Sequence, residues 1–340
     1  MLQFRAGLRI PSAALEERRN VGHDEAETVQ NRPGDGNALK PCAGIIHGLA
    51  VLGKVHQQQG NGGADYSCDG GDRDDLRVDI FYNKDAFDAC GITDTPKTWD
   101  EFLTVCQTLK DNGYEPLALD GAYANFNFYN HLVRHLGEDT IAELGKNGGW
   151  ADNEAAVTAA QEIIDFVNAG YLAEGAPDAY PASQTKVGLG TAAMVACANY
   201  VTSEVDAAVG EPVNWGFFNY PEVEGNVDAS AYAGANSLAI SSSCENPQAA
   251  FDFIMTIVTG TCGQELVDNG GQIPADTRLK ESVLAGSVET LKNTTTPMSW
   301  CGALNTLDGW SSIKSSMIEL FEGKYATGAD YCAYLDTLCG

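Results

Sequence analysis

From residue 78 onward the chain alternates strand-forming and helix-forming segments, with a stop signal between most of them. This alternation limits the possible folds more than any other feature. VDIFYN (78–83) is β-branched and aromatic, as a strand requires. KDAFDACGI follows as a short helix, with Gly91 placed to stop it. Pro96 then precedes Thr98-Trp99-Asp100-Glu101, a capping box in which the first hydroxyl and the last carboxylate satisfy each other's backbone amides. The helix it opens, EFLTVCQTLKDNG, sets Phe102, Leu103, Cys106 and Leu109 on one face and ends at Gly113.

The same grammar continues. PLALD (116–120) reads as a strand, and NFNFYNHLVRHLG as a helix running to Gly137. Asp152 or Asn153 caps EAAVTAAQEIIDFVNAG, whose apolar positions 156, 157, 160, 163, 164 and 167 recur at helical spacing. AAMVAC, VNWGFFNYP and SLAISSS (237–243) read as strands. Asn246-Pro247 starts a further helix with proline at its first position. DTRLKESVLAG is expected to be helical, as are about 305–322 and 327–338. Strands alternating with helices predict an α/β fold with a largely parallel sheet.

Residues 1–77 lack this grammar. RNVGHDEAETVQNRPGDGNALKPC is polar and unpatterned, and HQQQGNGGADYSCDGGDRDD is rich in Gly, Asp and Gln, so both read as loop or disorder. Charge divides at the same point. Residues 1–78 hold 11 acidic and 9 basic residues, whereas the rest hold 36 of the 47 acidic and 11 of the 20 basic ones. A net charge of −27 repels phosphate backbones, which argues against nucleic acid as a partner. With 44% hydrophobic residues and no apolar run near the roughly 18 needed to span a bilayer, the chain reads as soluble and globular. MLQFRAGLRIPSAALEERRN has neither the apolar core nor the small-residue cleavage site of a secretory signal, and Cys42 does not sit in a lipid-attachment context. Ten dilute cysteines without CxxC spacing read as free, packed thiols, with Cys332 and Cys339 open to pairing.

The usual catalytic and cofactor motifs are missing. GLGTAA (188–193) precedes a strand instead of following one, so it fails the context of a dinucleotide loop. His131 and His135 are one helical turn apart, but no third ligand has telling spacing, so they read as ordinary helix-face residues and no metal or cofactor is expected. What is concentrated is aromatic and amide side chains after strands. AYANFNFYN (122–130) has four aromatics and three asparagines, CANY (197–200) follows AAMVAC, and SWCGALNTLDGW (299–310) has two tryptophans. Such residues stack on sugar rings and hydrogen-bond hydroxyls, and ligand sites of open α/β sheets lie beyond the carboxyl ends of strands. Each of these aromatics also has a core reading, and Trp99 on the capped helix reads as core.

FYNKDAFDACGI with TPKTWDEF, PLALDG with its aromatic cluster, GGWADNEAAV with AGYL, GLGTAAMVACANY, and WGFFNYPEVEG with ENPQAAFDFI occur in an order that resembles one family over about 79–340. That family is the extracellular solute-binding proteins (family 1) of ABC sugar importers, the group that includes maltose-binding protein. The resemblance implies a periplasmic-binding-protein-like type II α/β fold whose two lobes close on a ligand. In that layout 79–232 and 288–340 form the C-terminal lobe and 233–287 belongs to the N-terminal lobe. Residues 1–78 stand where most of that lobe's sheet should be but do not match it, so the N-terminal lobe is expected to be incomplete, the region being poorly ordered or misread. The resemblance further implies a monomer, extracellular or at the cell surface, that binds a carbohydrate and delivers it to ABC permease subunits without catalysis. Its implied ligand-binding residues are Asn125, Phe126 and Phe128 after the strand, Tyr200 after AAMVAC, and Trp310 or its neighbour Trp300. Asp120 stands as a hydroxyl acceptor, and Asn236 faces the cleft from the other lobe. Two alternatives stay open: a carbohydrate hydrolase using paired carboxylates, and a truncated gene product with impaired binding.

Overall fold

A computed structural model describes residues 78–223, 231–232, 238–270, 276, 278–280, 297–298 and 300–340. The expectations for residues 1–77, for Asn236 and for most of DTRLKESVLAG lie outside the described residues.

Four strands form the main sheet: β1 (Val78–Asn83), β2 (Glu115–Leu119), β3 (Ala192–Ala198) and β4 (Trp215–Phe218), in the order β2-β3-β1-β4. β3 lies inside the sheet and all seven of its residues are buried, which explains why AAMVACA is a continuous apolar run without alternation. β2 pairs parallel to β3, with Leu117 opposite Met194 and Leu119 opposite Ala196. β1 runs antiparallel to both of its neighbours, so the sheet is mixed, which corrects the expectation of a largely parallel one. A separate two-stranded piece pairs β5 (Ala231–Tyr232) with β6 (Pro297–Met298) in parallel.

Eleven helices are present among the described residues: α1 (Lys84–Ala89), α2 (Trp99–Asp111), α3 (Gly121–Leu136), α4 (Glu138–Asn147), α5 (Glu154–Asn168), α6 (Ala182–Gly188), α7 (Val201–Val209), α8 (Pro247–Val258), α9 (Gly260–Gly270), α10 (Trp310–Phe321) and α11 (Gly328–Asp336). The capping box forms as read: Thr98 accepts from the Glu101 amide at 3.3 Å, and Glu101 accepts from the Thr98 amide at 3.3 Å and the Lys97 amide at 2.7 Å. Asn153, not Asp152, caps α5, accepting from the Ala156 amide. α2, α3 and α6 pack on the sheet, α5 and α10 cover α3, and α11 covers α5. Trp99 is buried in an aromatic core with Phe102, Phe166 and Tyr220, as read.

Two expectations are corrected, and one left open is decided. Residues 238–243 form no strand: Leu238 is exposed, and the segment turns at Ser242 and Ser243. The stretch 305–322 is a 3₁₀ turn at Gly302–Thr306 followed by α10. Cys332 and Cys339 are free thiols, as are Cys90, Cys106, Cys197, Cys244, Cys262 and Cys301. Among the described residues no helix is long and apolar enough to cross a membrane.

Candidate functional site

Because β2 and β3 are parallel neighbours, their carboxyl ends leave the sheet on the same edge, and each feeds a helix there. Asp120 follows β2 as the N-cap of α3; Asn199 and Tyr200 follow β3, with Tyr200 at the N-cap of α7. Local connectivity alone therefore brings the first carboxylate and the first tyrosine of the site to one place.

Asp120 is an atypical cap. Its side chain does not bond the helix amides, it is 1% exposed, and neither carboxylate oxygen has a hydrogen-bond partner. Burial pushes its pKa up to about 6, and the carboxylates of Asp178 and Glu204 push in the same direction, with the Gln184 backbone amide opposing them. Backbone pairing fixes Asp178 beside it, for the Gly121 amide donates to the Asp178 carbonyl at 2.8 Å. Asp178 Oδ1 accepts from the Ser183 amide at 3.0 Å, and Glu204 accepts from Gln184 Nε2 at 3.0 Å. Asp120 is thus the member of this acidic group whose acceptors are unused.

An aromatic group adjoins it. Tyr123, one turn into α3, shares a hydrogen bond with Tyr200 through the two phenol oxygens. Burial raises the pKa of both phenols, that of Tyr200 to about 12, so each stays a neutral donor. Trp300 is half-buried, meets Tyr123 edge-on at 5.7 Å between ring centroids, and stacks on Phe126 at 4.8 Å. With the Asn125 amide assigned in the orientation that satisfies both of its atoms, it holds the indole, its oxygen accepting from Trp300 Nε1 at 3.2 Å and its nitrogen donating to the Ala122 carbonyl at 3.1 Å. After Trp300 the chain turns sharply at Cys301, whose φ of 52° lies in the left-handed region that non-glycine residues seldom adopt. Nearby Tyr180 is 62% exposed.

The structure brings together Asp120, Asn125, Phe126, Tyr200 and Trp300 among the residues expected from the sequence. Phe126 is fully buried, so it backs Trp300 from the core side. Phe128 is fully buried as well and packs edge-on against Tyr331, a core position. Trp310 begins α10 half-buried against the core, and among the described residues no ring contact joins it to the cluster. Four participants were not singled out from the sequence: Tyr123, Asp178, Tyr180 and Glu204. Tyr123 at i+3 from Asp120 and Glu204 at i+4 from Tyr200 carry a helical-spacing signal, whereas nothing local marks Asp178 or Tyr180.

Chemically, the site offers an unengaged buried carboxylate, two neutral phenols and an indole plane held by an amide. It can stack an apolar ring face and accept hydrogen bonds from hydroxyls. It offers no activated thiol, since burial pushes the Cys301 thiol up to about 12 and raises Cys197 as well.

Residues 77–258 match the family described as bacterial extracellular solute-binding protein. No curated protein matches the sequence. Solved structures that resemble the chain include a chitin oligosaccharide binding protein, with a TM-score of 0.63 and 21% identity over 78% of this chain and 69% of that one. RafE, a solute-binding protein solved with raffinose, gives 0.64 at 18% identity over 79% and 72%. A sugar transporter protein from Bacillus licheniformis, solved with stachyose, gives 0.61 at 15% identity over 78% and 71%. At these identities the likeness is one of fold, and that fold is the α/β periplasmic-binding-protein-like one.

Proposed function

This chain belongs to the bacterial extracellular solute-binding protein family, and from that premise we propose that it binds a carbohydrate for an ABC importer. The observation that carries the reading is the pairing of a half-buried indole with a buried, unpartnered carboxylate where two parallel strands end. A sugar ring has an apolar face for Trp300 and Tyr200 and hydroxyls for Asp120 and the phenols. Neighbouring folds that hold chitin oligosaccharide, raffinose and stachyose support this substrate class. In this reading 79–232 and 288–340 build one wall of the cleft, and 233–287, including Asn236, belongs to the opposite lobe. The protein works outside the cell as a monomer, and closure on the sugar is what the permease subunits recognise.

The reading is non-catalytic, as the family generally is. A hydrolase would also want a carboxyl group of raised pKa beside other carboxylates, which Asp120, Asp178 and Glu204 provide. One experiment separates the two: titrate the full chain calorimetrically with a panel of mono- and oligosaccharides, then assay the same mixtures for released reducing ends. Saturable binding of one sugar per chain without release is expected. A Trp300→Ala variant should weaken binding at least about tenfold, or about 1.4 kcal/mol. Turnover above background, or no binding to any sugar by folded protein, would overturn the reading.

A further inference from the structure

We propose that His131, His135 and Glu162 form a binding site for a divalent transition-metal ion, on the far end of α3 from the sugar site and independent of it. His131 and His135 are one turn apart on α3, which sets both imidazoles on the same side of the helix. Glu162 reaches them from α5, which packs along α3. Its Oε2 lies 2.7 Å from His131 Nε2 and 3.0 Å from His135 Nε2, and the three candidate ligand atoms all lie within 4.8 Å of one another. Neither helix shows this alone: the third ligand is 27 residues beyond His135 and reaches it only through helix packing.

Two neutral imidazoles and one carboxylate are a familiar ligand set for zinc, with a fourth position left for water. His131 is fully buried and directs Nε2 at the shared carboxylate oxygen, so its ring nitrogen already points to where an ion would sit. The carboxylate is the accessible member: Glu162 is 31% exposed against 12% for His135 and 0% for His131, which gives an ion a way in from solvent. Tetrahedral coordination at ~2.1 Å separates ligand atoms by about 3.4 Å, so Glu162 Oε2 must draw back from the two imidazole nitrogens, now at 2.7 and 3.0 Å, by roughly 0.4–0.7 Å. A turn of the Glu162 side chain supplies that. Arg134, on the same helix, opposes a cation; its guanidinium is engaged with Asn130 and lies over the Tyr220 ring.

The bland role for the triad is a carboxylate clasping two imidazole N–H groups, and the experiment must distinguish it. The full chain, stripped with chelator and dialysed, is titrated with Zn2+ by calorimetry and with Co2+ by visible absorption, with thermal melts alongside. Uptake of one ion per chain, a raised melting temperature, and cobalt bands without a thiolate charge-transfer feature are expected. His135→Ala and Glu162→Gln, chosen because both side chains reach solvent, should each fold by circular dichroism. Each should lose more affinity than the roughly 10–100-fold that an outer-shell partner is worth. The proposal is overturned by no uptake in folded wild type, by a thiolate band assigning the ion to cysteines, or by uptake that His135→Ala leaves unchanged. Sugar affinity is read in parallel and should be the same in both variants.

Discussion

Asp120 carries the sharpest consequence at the scale of single residues. Its carboxyl group is held at about 6 against an ordinary value of 3.8, with burial as the first cause. The folded state therefore holds this proton more tightly than the unfolded chain does. Below the unfolded value both states are protonated and nothing is lost. As pH rises from 3.8 through about 6 the folded protein is forced to bury a charge, and the cost is fully present above that. Asp120→Asn should accordingly raise stability by about 1–2 kcal/mol at about pH 8 and by almost nothing at about pH 4. Urea melts at the two pH values measure this; equal gains at both would show that the charge is not the cause. The same variant should bind sugar at least about tenfold more weakly, and wild-type affinity should fall as pH drops through about 6, since the protonated form has lost acceptor capacity. The sequence marked this residue only through resemblance, because an aspartate before a helix normally reads as a cap. Its idle oxygens become visible only once Asp178, distant in sequence, is fixed beside it by backbone pairing.

Helices and strands were legible where the signal is local. Thr98 with Glu101, Asn153 and Pro247 mark three helix starts through chemistry confined to a few residues each, and all three helices begin there. Removing the Thr98 hydroxyl in Thr98→Ala should cost about 1 kcal/mol, read as a shift in the urea midpoint at constant slope. Elements without such signals were missed. α4 lies between Gly137 and Gly148, with Gly145 inside it, and α7 opens on Val201-Thr202 without a side-chain cap. SLAISSS has strand-like residues yet makes no strand in its described part, since β propensity depends on a partner to pair with. The direction of β1 was likewise hidden, because pairing direction is set by connections between elements. Helix contacts are equally invisible in one dimension. Gly328 begins α11, where a Cβ would stand 2.2 Å from the Val157 carbonyl oxygen and 2.8 Å from the Gln161 amide of α5. Both obstacles are backbone and cannot swing aside, so Gly328→Ala should push the two helices apart and destabilise by about 1–3 kcal/mol. A calorimetric melt unchanged from wild type would refute that close approach.

For the whole molecule, the buried apolar residues are unevenly distributed. Sheet, α2, α3, α5, α10 and α11 share one core, and Asp336 ties the end of the chain into it by accepting from the Gly149, Trp150 and Ala151 amides at 2.7–2.9 Å. Between residues 224 and 299, Val267 is the one buried hydrophobic side chain among the described residues. α8 has no buried residue although its sequence is strongly apolar, and Phe253 is 65% exposed. Such a contrast is what the proposed assignment of 233–287 to a different lobe predicts. It also separates the two parts energetically, because opening a helix that buries little exposes little new apolar surface. Native-state hydrogen exchange should therefore report two levels of protection. Amides of β3, α3 and α5 should exchange only through global unfolding, with a denaturant slope equal to that of the whole protein. Amides of α8 and α9 should exchange through a smaller opening, several kcal/mol lower and with a shallow slope. If α8 and α9 showed the same protection and slope as β3, they would belong to the same cooperative unit, and the division of the chain into two walls of a cleft would fail.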